Sequence, residues 1–184
     1  MKRALDILGA LAALALLSPL LLTAALAVLL ADGWPVFFRQ TRMGRGGQAF
    51  AMLKFRTMVR NAAALGPWHT QAADPRITPV GRVLRRTSID ELPQLWNVLK
   101  GDMSLVGPRP DVPAQVPLYA PADWALRCSV RPGITGLAQA LYRSDSTEQE
   151  RLQADLRYVR EASLWLDIKI CWWTLARLGG RGAN

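Results

Sequence analysis

The run from Ile7 to Ala31 carries no charged side chain, and it limits the chain's options more than any other stretch. At about 25 residues it exceeds a secretory signal core and is long enough to cross a bilayer as one straight helix. Two details weigh against a plain span. Ser18-Pro19 falls near the middle, where proline removes a backbone donor and kinks a helix, while a serine can satisfy the group left behind. Basic residues also flank both ends, Lys2 and Arg3 before the run and Arg39, Arg42 and Arg45 after Asp32. A spanning helix normally shows that bias on one side only. Break and charge together fit a helix-break-helix hairpin over residues 1–32 that enters one leaflet and returns, with a straight span as the alternative.

Residues 33–184 read as one further unit, since 184 residues suit a single domain with a real core. The formal charge of +9, from 23 basic and 14 acidic residues, favours anionic partners: acidic lipid, phosphorylated small molecules or nucleic acid. Cys128 and Cys171 are too few for a disulfide framework and lack metal-ligand spacing, and Cys171 beside Trp172 and Trp173 reads as a packing residue. The single histidine, His69, sits in the loop-like Gly66-Pro67-Trp68-His69 and reads as structural. A Ser-His or Cys-His mechanism is thereby disfavoured. Any enzymatic chemistry falls to carboxylates, basic residues and a metal.

Past Gly33 the pattern breaks into short units. Val36 to Phe38 and Phe50 to Leu53 are expected as strands around the turn Gly44 to Gly47. Asn61 to Leu65 and Val80 to Arg85 are short helical runs. Leu92, Leu95, Trp96 and Leu99 recur on one face of an amphipathic helix that Lys100 and Gly101 end. At its start either Ser88 to Glu91 forms a capping box or Asp90 is the N-cap, and both place Asp90 and Glu91 at a helix N-terminus. Gly107 to Pro110 is a stiff turn, and Arg131 to Gly136 is expected as a loop. Ser146 to Ala162 reads as a solvated helix, and Gly179 to Asn184 as a loose tail. Leu164 to Leu178, with Trp165, Trp172 and Trp173, suits a core helix or a membrane interface equally.

Asp90 and Glu91 are adjacent, so on a helix they diverge by about 100° and cannot share one proton. Two separate jobs follow: an anionic nucleophile and a ligand for a hard cation such as Mg²⁺. An acidic helix cap is the plainer alternative. Arg85 precedes the pair, Arg109 is fixed between two prolines, and Lys54 and Arg56 add donors, each of which alone also suits a solvated face. Carboxylates, a divalent metal and several cations together describe phosphoryl transfer, where positioning and charge neutralisation carry catalysis.

The block Arg85-Arg-Thr-Ser-Ile-Asp-Glu-Leu-Pro-Gln-Leu-Trp-Asn-Val-Leu-Lys-Gly-Asp-Met-Ser-Leu-Val-Gly-Pro-Arg-Pro110 closely resembles the signature of the bacterial sugar transferases. These are the monotopic polyprenyl-phosphate phosphoglycosyl transferases. Lys2-Arg3-x-x-Asp6, Phe38-Arg39-Gln40-x-Arg42-x-Gly44, Lys54-Phe-Arg-Thr-Met58, Asp74-Pro-Arg-Ile-Thr78 and Arg131-Pro-Gly-Ile-Thr-Gly-Leu-Ala-Gln139 extend the resemblance over nearly the whole chain, which looks like the minimal catalytic unit.

The resemblance implies that Asp90 attacks the sugar-linked phosphate of a UDP-sugar and that undecaprenyl phosphate then takes the sugar phosphate from it. It further implies Glu91 as a Mg²⁺ ligand, with Mn²⁺ as a substitute, and Arg85, Arg109 and Lys54 as phosphate contacts. The site is then expected at the cytoplasmic face of a bacterial inner membrane, among membrane lipids, opening a surface-glycan pathway. Nucleic acid is not an expected partner, and a homodimer is left open. The fold expected is α/β and mainly helical, with the re-entrant hairpin broken at Ser18 and Pro19, a small irregular sheet and amphipathic interfacial helices. The other classes are a single-pass protein with a basic binding domain, which would show no turnover, and a nucleic-acid-binding module.

Overall fold

The computed structural model describes residues 1–66, 70, 74–142 and 146–179. His69 and residues 180–184 of the expected tail lie outside them. In chain order the elements are α1 (Lys2–Asp32), β1 (Phe37–Met43), β2 (Ala49–Phe55), α2 (Ala62–Leu65), α3 (Pro79–Arg86), α4 (Gln94–Lys100), β3 (Ser104–Val106), α5 (Pro121–Arg127), β4 (Gly133–Thr135), α6 (Leu137–Leu141), α7 (Glu148–Glu161) and α8 (Leu164–Gly179). The result is a mainly helical α/β fold. Its sheet content is an antiparallel β1–β2 hairpin and a separate parallel β3–β4 pair.

α1 is long and apolar enough to cross a membrane. It runs through Pro19, which has no N–H to offer the carbonyl of Ala15 four residues back. Ser18 Oγ donates to that oxygen at 2.8 Å instead. Both halves of α1 pack on the rest of the chain. Ala10 joins Met52, Leu95, Val98 and Met103 in one core cluster, while Ala24 and Val28 join Val36, Phe55 and Leu84 in another. The third cluster, around Val106, Leu137, Tyr158 and Ile170, lies under α6, α7 and α8.

Polar contacts fasten both ends of α1. At the start, Arg3 donates to the last carbonyls of α4, Val98 O at 2.6 Å and Leu99 O at 3.0 Å, where a cation meets the negative end of a helix. Asp6 accepts from Ser104 Oγ and Leu105 N, and Lys2 pairs with Asp167 at 2.6 Å. At the far end, Arg56 donates to Asp32 O and Gly33 O, both at 2.6 Å, and Thr78 Oγ1 donates to Asp32 Oδ2.

Several local expectations shift. Neither proposed cap forms: Ser88 takes a left-handed φ of 57°, and Asp90 and Glu91 sit on a 3₁₀ turn, Ile89–Glu91. Pro93, with no side-chain cap, precedes α4. Pro93 has no N–H to give an intrahelical bond and α4 starts just after it, so the acidic pair lies ahead of the helix proper. The buried face of α4 is Gln94, Leu95, Asn97 and Val98, and Trp96 points outward. Gly101, at φ 97°, ends α4 as expected. Within Arg131 to Gly136, expected as a loop, Gly133–Thr135 forms β4 against β3. Gly107 and Gly133 permit that approach, since a Cβ on Gly133 would lie 2.1 Å from Gly107 N. α7, opened by the Thr147/Glu150 capping box, buries Ala154, Asp155, Leu156 and Tyr158 rather than being wholly solvated.

Candidate active site

Three separate stretches bring the acidic pair and its cations together. β2 supplies Lys54, the 3₁₀ turn supplies Asp90 and Glu91, and the turn after β3 supplies Arg109. Glu91 Oε1 accepts from Lys54 Nζ at 2.6 Å and from Arg109 Nη2 at 3.0 Å. Burial alone would raise the Glu91 pKa, but the two cations prevail and hold it at about 2. Burial also lowers Lys54 from its ordinary value, despite the opposing charge of Glu91.

Asp90 differs in kind. It is only 7% exposed, and its carboxylate accepts no hydrogen bond from any described residue. Burial, then the charge of Glu91, pushes its pKa up to about 6, while Lys54, Arg85 and Arg109 pull the other way. A helix cap would be spent on backbone N–H groups. This carboxylate is not, and such a desolvated, unengaged oxygen suits a nucleophile.

Arg85, in the last turn of α3, reaches the site less directly. Its Nε donates to Thr57 Oγ1 at 2.8 Å and its Nη1 to Thr70 Oγ1 at 3.1 Å. α3 lies close to that strand end because Gly81 has no side chain; a Cβ there would lie 2.2 Å from Thr57 O. Ser18 and Pro19 lie within α1 and take no part in this cluster. Of the residues expected together, Lys54, Glu91 and Arg109 form the contact group. Asp90 is next to it in the chain and feels the charges of Lys54, Arg85 and Arg109 without bonding to them.

The turn carrying Arg109 is held from both sides. Four successive carbonyls each accept a hydrogen bond: Pro108 O from Gly133 N at 2.9 Å, Arg109 O from Arg127 Nη2 at 2.5 Å, Pro110 O from Arg42 Nη1 at 2.9 Å and Asp111 O from Met43 N at 2.8 Å. Arg42 is itself oriented by Gln40. On the β2 side, Asn97 on α4 takes the free edge of the strand, accepting from Leu53 N and donating to Ala51 O. Lys54 is thereby fixed relative to the acidic turn. Sequence reading passed over Arg127, Asp111, Asp155 and Asn97. The signal was Asp155 itself, a charge at the helical spacing of Leu152, Leu156 and Val159.

Residues 1–180 match the model of the bacterial sugar transferase family. The chain belongs to that family. It is 48% identical over 176 residues to the UDP-glucose:undecaprenyl-phosphate glucose-1-phosphate transferase of Caulobacter vibrioides, covering 92% of this chain and 66% of the relative. It is 42% identical over 194 residues to the UDP-N-acetylgalactosamine-undecaprenyl-phosphate N-acetylgalactosaminephosphotransferase of Aeromonas hydrophila, covering 100% of this chain and 45% of the relative. With the exopolysaccharide production protein ExoY of Sinorhizobium fredii it shares 43% identity over 190 residues, 95% of this chain and 83% of that one. The bacterial sugar transferase chain thus spans between under half and most of the length of these relatives.

Proposed function

We propose that this chain moves a sugar 1-phosphate from a UDP-sugar to undecaprenyl phosphate, with Asp90 as the nucleophile. The names of the relatives supply donor and acceptor classes. The observation that carries the role of Asp90 is its buried, hydrogen-bond-free carboxylate beside a Glu91 neutralised by Lys54 and Arg109.

In the first step a carboxylate oxygen of Asp90 bonds to the sugar-linked phosphorus, the bond to the bridging oxygen breaks, and UMP leaves with the electron pair. An oxygen of undecaprenyl phosphate then attacks the same phosphorus and displaces Asp90, giving an undecaprenyl diphosphate sugar. Arg109 offers a planar fork to phosphate oxygens, and Lys54 and Arg85 add positive charge where negative charge builds.

Glu91 is the residue to hold Mg²⁺. Its Oε1 takes both cations, while Oε2 accepts from no described residue, and no cluster of three or more His, Cys, Asp or Glu exists among the described residues. One carboxylate, with water and a diphosphate completing the shell, fits Mg²⁺ or Mn²⁺ rather than a protein-built cage. The ion would supply charge neutralisation on the diphosphate.

The topology reading is re-entrant. A straight 31-residue helix is about 46 Å long. A helix crossing the bilayer would hold one of its ends far from a domain on the other side. Here Lys2, Arg3 and Asp6 at one end and Asp32 at the other all contact the same body. A proline-centred bend lets both ends rest at one surface, which for the donor's sake is the cytoplasmic one. The exposed Trp165, Ile168, Trp172 and Leu175, successive on one face of α8, support an interfacial helix.

The test is UMP release by the full chain in nanodiscs, with Mg²⁺, undecaprenyl phosphate and a panel of UDP-sugars. Asp90→Asn is expected to fold normally and to lose turnover by about 10⁴-fold or more. With donor alone, the unmodified chain should release about one equivalent of UMP and gain the mass of a sugar phosphate. UMP release only when acceptor is present would replace the two-step route by direct displacement.

A further inference from the structure

We propose that Arg127 is a positioning residue for this reaction, fixing the Pro108–Pro110 turn so that Arg109 presents its guanidinium to phosphate in one orientation. The inference rests on the reading of Arg109 as a phosphate contact and adds what holds that contact in place.

Arg109 has little of its own to orient it. Its side chain is 49% exposed, and Glu91 is its only ion-pair partner among the described residues. Its direction is therefore set by its backbone, and the least ordinary of the four bonds on that backbone comes from Arg127. This residue ends α5 and is 6% exposed. Its guanidinium addresses three parts of the chain at once. One arm donates to the carboxylate of Asp111, next to the turn. Another edge meets Asp155 of α7 at 3.0 and 2.9 Å. Nη2 donates to Arg109 O, and the group lies 5.4 Å from the centre of the Tyr119 ring. Burial works against its charge, and Asp155 and Asp111 more than offset that.

A buried charged triad is a poor way to gain stability, since well-packed apolar residues do as well or better. What it does supply is direction. A planar fork held by two carboxylates and an aromatic face can donate to one carbonyl from one angle only, and a lysine cannot reproduce this. The turn it grips carries Arg109. The competing role is plain adhesion between α5 and α7, and the two roles differ in what happens once Arg109 is already impaired.

The experiment is a double-mutant cycle on kcat and KM in the full-length chain, using Arg127→Lys, Asp155→Asn and Arg109→Lys. Arg127→Lys is expected to lower kcat by about 10- to 100-fold with the KM for undecaprenyl phosphate unchanged, and Asp155→Asn by about 3- to 10-fold. In the Arg109→Lys background each should cost no more than about 2- to 3-fold further, because the group they orient is gone. Rates are taken per folded molecule, from near-ultraviolet circular dichroism. If Arg127→Lys does not fold, Asp155→Asn, which keeps the shape, carries the cycle. Losses that multiply in full in the double variants, or that vanish on correction for folded protein, overturn the positioning role and leave Arg109 as a phosphate contact. If Arg109→Lys alone costs nothing, the phosphate reading of Arg109 fails and the positioning role with it.

Discussion

At the scale of single residues the site works by giving two adjacent carboxyls opposite surroundings. Glu91 takes both neighbouring cations and is ionised throughout the working range, its pKa held at about 2. Asp90 takes neither, and burial lifts it to about 6. With Asp90 as the proposed nucleophile, only its ionised form attacks, so kcat/KM is expected to rise with pH along an acid limb near 6 and be lost below it. Lys54→Met removes a charge that favours the ionised form, so the limb should move to higher pH. Raising Mg²⁺ neutralises Glu91 and should move it lower. A pH–rate series at two metal concentrations checks both shifts, and a limb that ignores Lys54→Met would remove Asp90 as its source. Lys54, Asp90, Glu91 and Arg109 were singled out through the family resemblance, because residue types and spacing alone also allowed an acidic helix cap and solvated cations. The structure joins Lys54, Glu91 and Arg109 directly. Asp155 was visible only as a charge out of place on a helical face, and its pairing with Arg127 was not legible: the two lie 28 residues apart and meet only after α5 and α7 pack.

Elements were readable where a local rule decides them. The β1–β2 hairpin, α3 and the stop of α4 at Gly101 follow from turn and cap chemistry. β4 was missed because its three residues pair in parallel with β3, a long-range contact that leaves no periodic trace. The start of α4 shifted because Pro93 overrides a Ser-to-Glu capping pattern. Asn97 shows how one side chain can join elements. Its amide continues the hydrogen bonding of β2 along an edge where no further strand pairs among the described residues, accepting from Leu53 N at 2.9 Å and donating to Ala51 O at 2.8 Å. Asn97→Ala strips these two strand partners and the bond to Asp102 Oδ2, and leaves a buried gap. A loss of about 2–3 kcal/mol in stability is expected. Lys54 should also drift from Glu91, lowering kcat by about 10-fold in protein that is still folded. Chemical denaturation and turnover measured on the same preparation check this. Full activity in a destabilised Asn97→Ala would limit the residue to packing.

For the whole molecule, the long helix and the rest of the chain are stitched together at both ends. With the native cysteines replaced, single cysteines at positions 2 and 45 should react with an impermeant reagent from the same side of sealed vesicles. Labelling from opposite faces would make α1 a true span. Replacing Ser18 and Pro19 with alanine should shift part of the population toward that span, because it removes the break proposed at Pro19 and the apolar length allows a crossing. The stitching also has an order in time. Arg3 waits for Val98, Asp6 for Ser104 and Lys2 for Asp167, which is 165 positions downstream. At translation rates of roughly 5–20 residues per second, Lys2 is synthesised roughly ten to thirty seconds before Asp167, its most distant clasp. Until the first partners of α1 emerge, its orientation is chosen by lipid and flanking charge, and the domain that then forms on it can only lock in the choice already made.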